Sequence, residues 1–248
     1  MNGIDVSEWQ GVIDWEKLRG KVDFAMLRAG YGQRTLDKQF ERNVRECNRL
    51  GIPCGVYWFC YALTAGDARL EAQRCLEAIK PYRIEFPVCY DLEYDSIDRA
   101  NAKGVIIGKE LASAMVDAFL GEIEAAGYYA MNYGNQDFLS RIFSPSIPQR
   151  WDLWLAAWPI NPDATGPAPR QCGIWQYGAE LFDDLGLVDS DVSYKDYPKL
   201  IRAAGLNHLA PSPEPLPPIV SNLDTAVAEI VAAGGADVIM GIAEMLKN

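Results

Sequence analysis

The chain has one histidine in 248 residues. His208 lies late, beside a proline-rich stretch, where no cleft is expected. Hydrolysis by a Ser–His or Cys–His pair needs an imidazole facing the nucleophile. Zinc hydrolases generally use two or three histidine ligands. Both classes become remote, and acid–base chemistry falls to Asp and Glu. No apolar run approaches the roughly 20 residues that span a bilayer. Basic charge is scarce: 23 Lys and Arg against 34 Asp and Glu give a net charge of −11, which argues against nucleic acid as a partner. Six cysteines (Cys47, Cys54, Cys60, Cys75, Cys89, Cys172) show neither metal-ligand spacing nor a dense disulfide framework. Most sit in apolar segments and read as buried thiols, which suits a reducing cytoplasm. The N-terminus enters Gly3-Ile4-Asp5-Val6 with no basic, apolar and cleavage regions of a leader before it. Either the protein is made without one, or one has been removed. No cofactor is implied.

What is present is ordinary globular composition, 49% hydrophobic and 23% charged, in a chain long enough for one barrel-sized domain and a small appendage. Within it, Phe86-Pro87-Val88-Cys89-Tyr90 reads as a buried strand ending in Asp91-Leu92-Glu93. Residues i and i+2 of a strand share a face, about 6.6 Å apart. Two carboxylates on one face of a buried strand are costly unless paired or used. Paired acids in different environments are what sugar-cleaving enzymes employ. Acids satisfied by backbone amides or an arginine remain the alternative.

Strand-like and helical runs alternate. Gly3–Val6 precedes a short helix at Trp15–Leu18. Phe24–Ala29 precedes Asp37–Leu50, Ile52–Tyr61 precedes Ala65–Ile79, and Phe86–Glu93 precedes a long amphipathic helix over Lys103–Ala126. Tyr128–Tyr133 precedes Asp137–Ile142. Leu153–Trp158, Ile174–Tyr177 and a short run near Val188 follow, with loops between them. Five β-α units and then three strands predict a closed or nearly closed parallel-rich barrel, with reacting groups at the C-terminal strand ends. Residues 206–220 read as a linker, with five prolines in Leu209–Pro218. Beyond it, 221–248 reads as two short amphipathic helices over Asn222–Leu246, broken at Gly234-Gly235. Such helices bury little surface alone. They would pack on the main domain or on copies of themselves, making a homo-oligomer one outcome, or target the wall. The tail has no aromatic residue and, counted with Glu214 of the linker, five acids against Lys247, which weighs mildly against binding anionic wall polymers.

Other strand ends add Asp5, Tyr57, Tyr61, Tyr133, Trp154, Trp158, Trp175 and Asp189 to Asp91 and Glu93. Rings beside carboxylates suit a sugar groove, because sugars offer flat C–H faces to rings and hydroxyls to acids. Part of these rings must be core filler.

Gly3-Ile4-Asp5-Val6-Ser7-Glu8-Trp9-Gln10-Gly11 with Ile13-Asp14-Trp15 resembles the opening of Chalaropsis-type lysozymes, glycoside hydrolase family 25. Phe24-Ala25-Met26-Leu27-Arg28-Ala29-Gly30-Tyr31-Gly32 is similar to their second strand, and Pro87–Glu93 to their catalytic strand. Leu153–Trp158, Ile174–Tyr177 and Val188-Asp189-Ser190-Asp191 are similar to the late strands. The resemblance covers about residues 1–205. It implies an α/β fold, an irregular TIM-like β/α barrel with few helices late in the chain, carrying a small C-terminal helical appendage. It implies cleavage of the β-1,4 bond between N-acetylmuramic acid and N-acetylglucosamine in bacterial peptidoglycan. Glu93 is then the general acid and Asp91 orients the N-acetyl group of a substrate-assisted reaction, or an acid activates water in an inverting one. Asp5 and Asp189 bind sugar or tune the pair. Tyr133 supports the N-acetyl region, and Tyr57, Tyr61, Trp154, Trp158, Trp175 and Arg28 bind substrate. An endolysin, made in the cytoplasm of an infected bacterium and acting on its wall, fits this pattern, as does a prophage or bacterial lysozyme. Two positions depart from the family pattern. Trp58 stands where many members have histidine, and Asp191 where asparagine is common. A non-catalytic glycan-binding barrel and a chitinase-type hydrolase are the competing readings. The first need not keep a general acid. The second usually carries earlier acids that Val88-Cys89-Tyr90 lacks.

Overall fold

The computed structural model describes residues 1–158, 168–182 and 185–210. The first compact unit runs from Met1 to Pro211. In chain order its strands are β1 (Asn2–Val6), β2 (Phe24–Tyr31), β3 (Thr35–Leu36), β4 (Cys54–Phe59), β5 (Val88–Asp91), β6 (Ala130–Asn135), β7 (Asp152–Ala156), β8 (Ile174–Phe182) and β9 (Gly186–Ser193). Its α-helices are α1 (Trp15–Leu18), α2 (Phe40–Leu50), α3 (Ala65–Ile79), α4 (Tyr94–Asn101), α5 (Lys109–Ala125), α6 (Ser146–Arg150) and α7 (Tyr197–Ala203).

Eight of these strands close a barrel in the order β1-β9-β8-β7-β6-β5-β4-β2, with β2 returning to β1 and the short β3 appended to β2. β9 alone in that ring is antiparallel to both of its neighbours. Strand alternation divides the apolar residues into two layers. Met26, Tyr57, Cys89, Met131, Trp154 and Ile174 point inward and fill the barrel. Leu27, Val56, Tyr90 and Leu155 point outward into the layer covered by helices. At the N-terminal ends of the parallel strands, Tyr197 and Ile201 of α7 pack against this interior, with Tyr197 5.5 Å from the ring of Phe86. The base of the barrel interior is thereby plugged, and its C-terminal ends are left to receive a ligand.

Three differences from the sequence reading have local causes. The catalytic-strand candidate ends at Asp91, and Glu93 is the extended N-cap of α4. The helix expected over Lys103–Ala126 begins only at Lys109, as α5, and α4, which was not expected, precedes it. Gly104 turns at φ +77° and Gly108 caps α5, so the apolar Val105-Ile106-Ile107 between them joins neither. The last strand is eight residues long, and forms a hairpin with β8 rather than a short run.

The bulge in β2 between Arg28 and Gly30 requires glycine at its end. A Cβ on Gly30 would lie 2.4 Å from the Thr35 carbonyl and 2.6 Å from the Trp58 ring. Bulges re-aim side chains at barrel rims. All six cysteines are free thiols, five of them buried. After α7 the chain packs on the base through buried Asn207. Its amide donates to the carbonyls of Ile84 and Phe86 and accepts from the Tyr129 N–H. His208 stacks edge-on against Tyr128 at 4.9 Å. The expected linker beyond Ala210 and the helices over 221–248 lie outside the described residues. Among the described residues no helix is long and apolar enough to cross a membrane.

Candidate active site

The C-terminal ends of the strands surround a cleft of about 470 Å³. Nine of the eleven residues expected from the sequence line it: Asp5, Arg28, Tyr57, Tyr61, Asp91, Glu93, Tyr133, Trp154 and Asp189. They come from seven strands of the barrel or from just past their ends, which is why residues 184 positions apart can meet.

The floor is a chain of hydrogen bonds. Tyr133 Oη donates to Gln176 Oε1 at 3.2 Å, and Gln176 Nε2 donates to Asp5 Oδ2 at 2.8 Å. Asp5 and Asp191 lie within hydrogen-bonding reach of each other. Asp191 Oδ1 in turn accepts from Trp154 Nε1 at 2.8 Å. Asp191 is wholly buried, and its Oδ2 meets no N–H or O–H donor. Asp91 is buried at the end of β5, and its Oδ1 has no partner either. Unpaired buried polar atoms are rare, and in a cleft they mark where a ligand or a proton belongs.

Every acid of this cluster has its pKa raised. Burial pushes Asp5 to about 7, with the charge of Asp189 opposite it on β9 adding to the effect. Burial raises Asp91 strongly, reinforced by Glu93 and Asp5 and opposed by Arg28. Burial raises half-buried Glu93, helped by Asp95 and Asp189. Burial also raises Asp191 strongly, and Asp5 adds to it. The site therefore favours protonated carboxyls more than water does, which suits a carboxyl that must donate a proton.

Arg28 lines the cleft but is held. Its Nε donates to Asp37 Oδ2 at 2.8 Å and its Nη2 to Glu8 Oε1 at 3.2 Å. It fixes the loop after β1 against β2.

Two expected residues are not among those that line the cleft. Trp175 points outward, because Ile174 and Gln176 occupy the inward phase of β8. Its indole N–H donates to the Ala157 carbonyl at 2.8 Å. Trp158 lies past the end of β7, half-exposed, with a 3.4 Å contact from Nε1 to Gln176 Oε1. Trp58, at the position of a departure from the family pattern, is fully buried on the outer face and donates to the Gly32 carbonyl at 3.0 Å. It does not touch the site.

Sequence reasoning missed Gln176 as a site residue, although a lone amide in phase with buried Ile174 marks an inward polar position. It also missed Trp9, 81% exposed at the mouth, and the rim rings Tyr31 and Phe59. Phe59 and Tyr31 meet Tyr61 edge-on at 5.3 and 5.7 Å. Among the described residues no group of three or more metal-ligating side chains converges.

A barrel whose mouth gathers proton-holding acids and aromatic rings is the arrangement that the sequence resemblance implies. The sequence model for Glycosyl hydrolases family 25 matches residues 4–182. The chain belongs to glycosyl hydrolases family 25. Its barrel is a glycoside hydrolase domain of that family. Uncharacterized protein YegX of Escherichia coli K12 is 31% identical over 197 residues, which are 76% of this chain and 65% of that protein. The chain thus spans just under two thirds of the length of this curated relative. The autolysin LytC of Streptococcus pneumoniae, a modular protein, is 30% identical with a TM-score of 0.65, over 78% of this chain and 46% of that one. It has also been solved with a synthetic peptidoglycan ligand. A family 25 glycosyl hydrolase from Bacillus anthracis shares the fold at 22% identity and a TM-score of 0.65, over 81% of this chain and 92% of that one. The family match ends at Phe182, before β9, so Asp189 and Asp191 of the family 25 barrel lie beyond the matched residues.

Proposed function

We propose that this chain is a peptidoglycan hydrolase of the N-acetylmuramidase type, cleaving the β-1,4 bond between N-acetylmuramic acid and N-acetylglucosamine. The observation that carries this reading is the pair Asp91 and Glu93 in a ring-lined cleft, one carboxyl wholly buried with an unpartnered oxygen and the other half-buried with a raised pKa.

Glu93 is the general acid. It holds its proton because burial and the charges of Asp95 and Asp189 disfavour the carboxylate, and it gives the proton to the glycosidic oxygen as that bond breaks. Asp91 orients the acetamido group of the sugar on the other side of the bond. The acetamido N–H supplies the donor that Asp91 Oδ1 lacks. Binding therefore favours the ionised form of Asp91, and that charge in turn raises the cost of ionising Glu93. The acetamido oxygen attacks the anomeric carbon as the leaving oxygen takes the proton from Glu93. Water then opens the cyclic intermediate, with Glu93 as base.

Tyr133 and Gln176 border the acetamido site. Trp9, Tyr61 and Tyr57 offer faces and edges to neighbouring sugars. Asp5 and Asp189 set the field in which the pair works. An endolysin role, with release onto the wall from inside a bacterium, completes the proposal. It predicts that intracellular expression lyses a host only when a membrane pore is supplied.

The deciding experiment digests purified peptidoglycan with wild type and Glu93→Gln and identifies new ends by mass spectrometry after borohydride reduction. New reduced N-acetylmuramic acid ends with wild type, diminished by about 10²–10⁴-fold in the variant, are expected. Ends of another sugar, or equal digestion by both proteins, would overturn the assignment.

A further inference from the structure

Beside the acidic cleft runs a second groove of about 350 Å³ that shares Tyr31, Tyr61 and Arg99 with it. Its charge has the opposite sign. Arg34, Arg99 and Lys103 line it against one acid, Asp67. That acid is already engaged: Oδ1 accepts from Gln33 Nε2 at 2.7 Å and Oδ2 from the Leu63 N–H at 3.1 Å. The ion pairs of the described residues include none of the three cations. All three are exposed. The Arg99 guanidinium is seated over the Tyr61 ring at 4.0 Å, which fixes it at the junction of the two grooves. In a chain of net charge −11, such a cluster draws an anion to one place.

The cations are also set at a useful offset. Glu93 caps α4, and Arg99 lies near the other end of that helix. At about 1.5 Å of rise per residue, Arg99 stands on the order of 9 Å from Glu93 along the helix axis, and it lines both grooves whereas Glu93 lines only the acidic one. Muramic acid carries a lactyl arm amide-linked to a short peptide with free carboxylates. Held over the main cleft, those carboxylates would face Asp5, Asp91, Glu93 and Asp95. The nearest cation there, Arg28, is occupied by Glu8 and Asp37.

We propose that the Arg34–Arg99–Lys103 groove binds the carboxylates of the peptide stem borne by a muramic acid in the main cleft. The inference rests on the muramidase reading above and adds a specificity to it: strands with free-acid stems are favoured over strands whose stems are amidated. Arginine suits the task because its planar fork meets a carboxylate with two donors.

The test uses soluble tetrasaccharides bearing peptide stems, either with free carboxylates or with the same carboxylates converted to amides. Wild type is expected to show a kcat/KM about three- to tenfold higher for the free acid, as two or three exposed charge contacts would give, with the difference in KM. The preference should vanish in Arg34→Gln/Lys103→Gln and fade at about 0.5 M salt. Equal rates of wild type on both substrates, or a preference that survives in the double variant, would overturn the proposal. If wild type cleaves neither tetrasaccharide, the muramidase reading fails separately, and equilibrium binding to the full chain decides the groove. Tighter binding of the free acid, lost in the double variant, would then support it, and equal binding would refute it.

Discussion

Asp191 lies diagonally across from Asp5 at the seam where the last strand of the barrel meets the first, within hydrogen-bonding reach and so able to share one proton with it. Two buried carboxylates cannot both ionise at that separation. With Trp154 donating to Asp191 Oδ1 and Gln176 donating to Asp5 Oδ2, the proton belongs on Asp191 Oδ2, the oxygen without a donor. Asp191 is then a neutral acid that donates a hydrogen bond.

An amide would donate in the same way without a titration, so Asp191→Asn should preserve the fold and change its pH dependence. Folded-state pKa values raised above the unfolded ones mean that the native state holds more protons than the unfolded chain. Stability therefore falls as pH rises from the ordinary carboxylate range, near 4, through the value of about 7 at Asp5. Thermal unfolding of Asp191→Asn should exceed wild type by about 2–6 °C at pH 8 and match it near pH 4. An equal change at both pH values would place the proton elsewhere.

Asp95→Asn should act on the chemistry. After burial, Asp95 is the largest cause of the raised Glu93 pKa. Removing that charge lets Glu93 ionise at lower pH. The alkaline limb of kcat/KM against pH should move to lower pH, while the rate at the acid optimum changes little. An alkaline limb that stays in place would show that another group of the cluster controls it.

A second buried acid sits outside the cleft. Glu71 of α3 accepts from the Tyr61 N–H at 2.9 Å and the Tyr90 hydroxyl at 2.7 Å, and burial pushes its pKa to about 7. Its protonation favours the native state, and that contribution is lost as pH rises from about 4.5 through 7. Glu71→Gln can accept from the backbone and donate to the tyrosine oxygen. It should be more stable than wild type at pH 8, by on the order of 2 kcal/mol, and about equal at pH 4.5. Urea unfolding at the two pH values measures this.

The base of the barrel tests packing apart from chemistry. Asp152 Oδ2 accepts from Lys195 Nζ at 2.7 Å, Tyr129 Oη at 2.9 Å and Tyr197 Oη at 2.7 Å. Asp152→Ala should cost about 2–4 kcal/mol in urea unfolding, because it strands donors that are partly out of water. The rate per folded molecule should remain at the wild-type value. A loss in rate without a loss in stability would connect the base to the cleft.

Strands were legible in the sequence because alternation survives in a barrel with a filled interior. Tyr57, Trp154 and Tyr133 follow from phase alone. Trp175 did not, because both phases of Trp175-Gln176-Tyr177 carry groups able to bind a sugar. What decides between them is the bond from Gln176 to Asp5, a contact across 171 positions. The helix α4 was missed for a local reason. Tyr94-Asp95-Ser96-Ile97-Asp98-Arg99-Ala100-Asn101 fully buries only Ser96 and Ala100, too little for an apolar period. The acids of the cluster were visible as residues. Which of them would lie against which depended on the antiparallel closure by β9, and no local signal announces that.

This closure has a temporal consequence. Chains emerge from the ribosome N-terminus first, so Asp5 emerges before the rest of the barrel. Its partners Gln176 and Asp191 emerge only after most of the barrel has been made. Until β9 inserts between β1 and β8, the cleft has no far wall and Asp5 has no proton to share. The same strand that seals the barrel carries Asp189 and Asp191 into the cleft, so a nascent chain has no complete cleft until its last strand is in place.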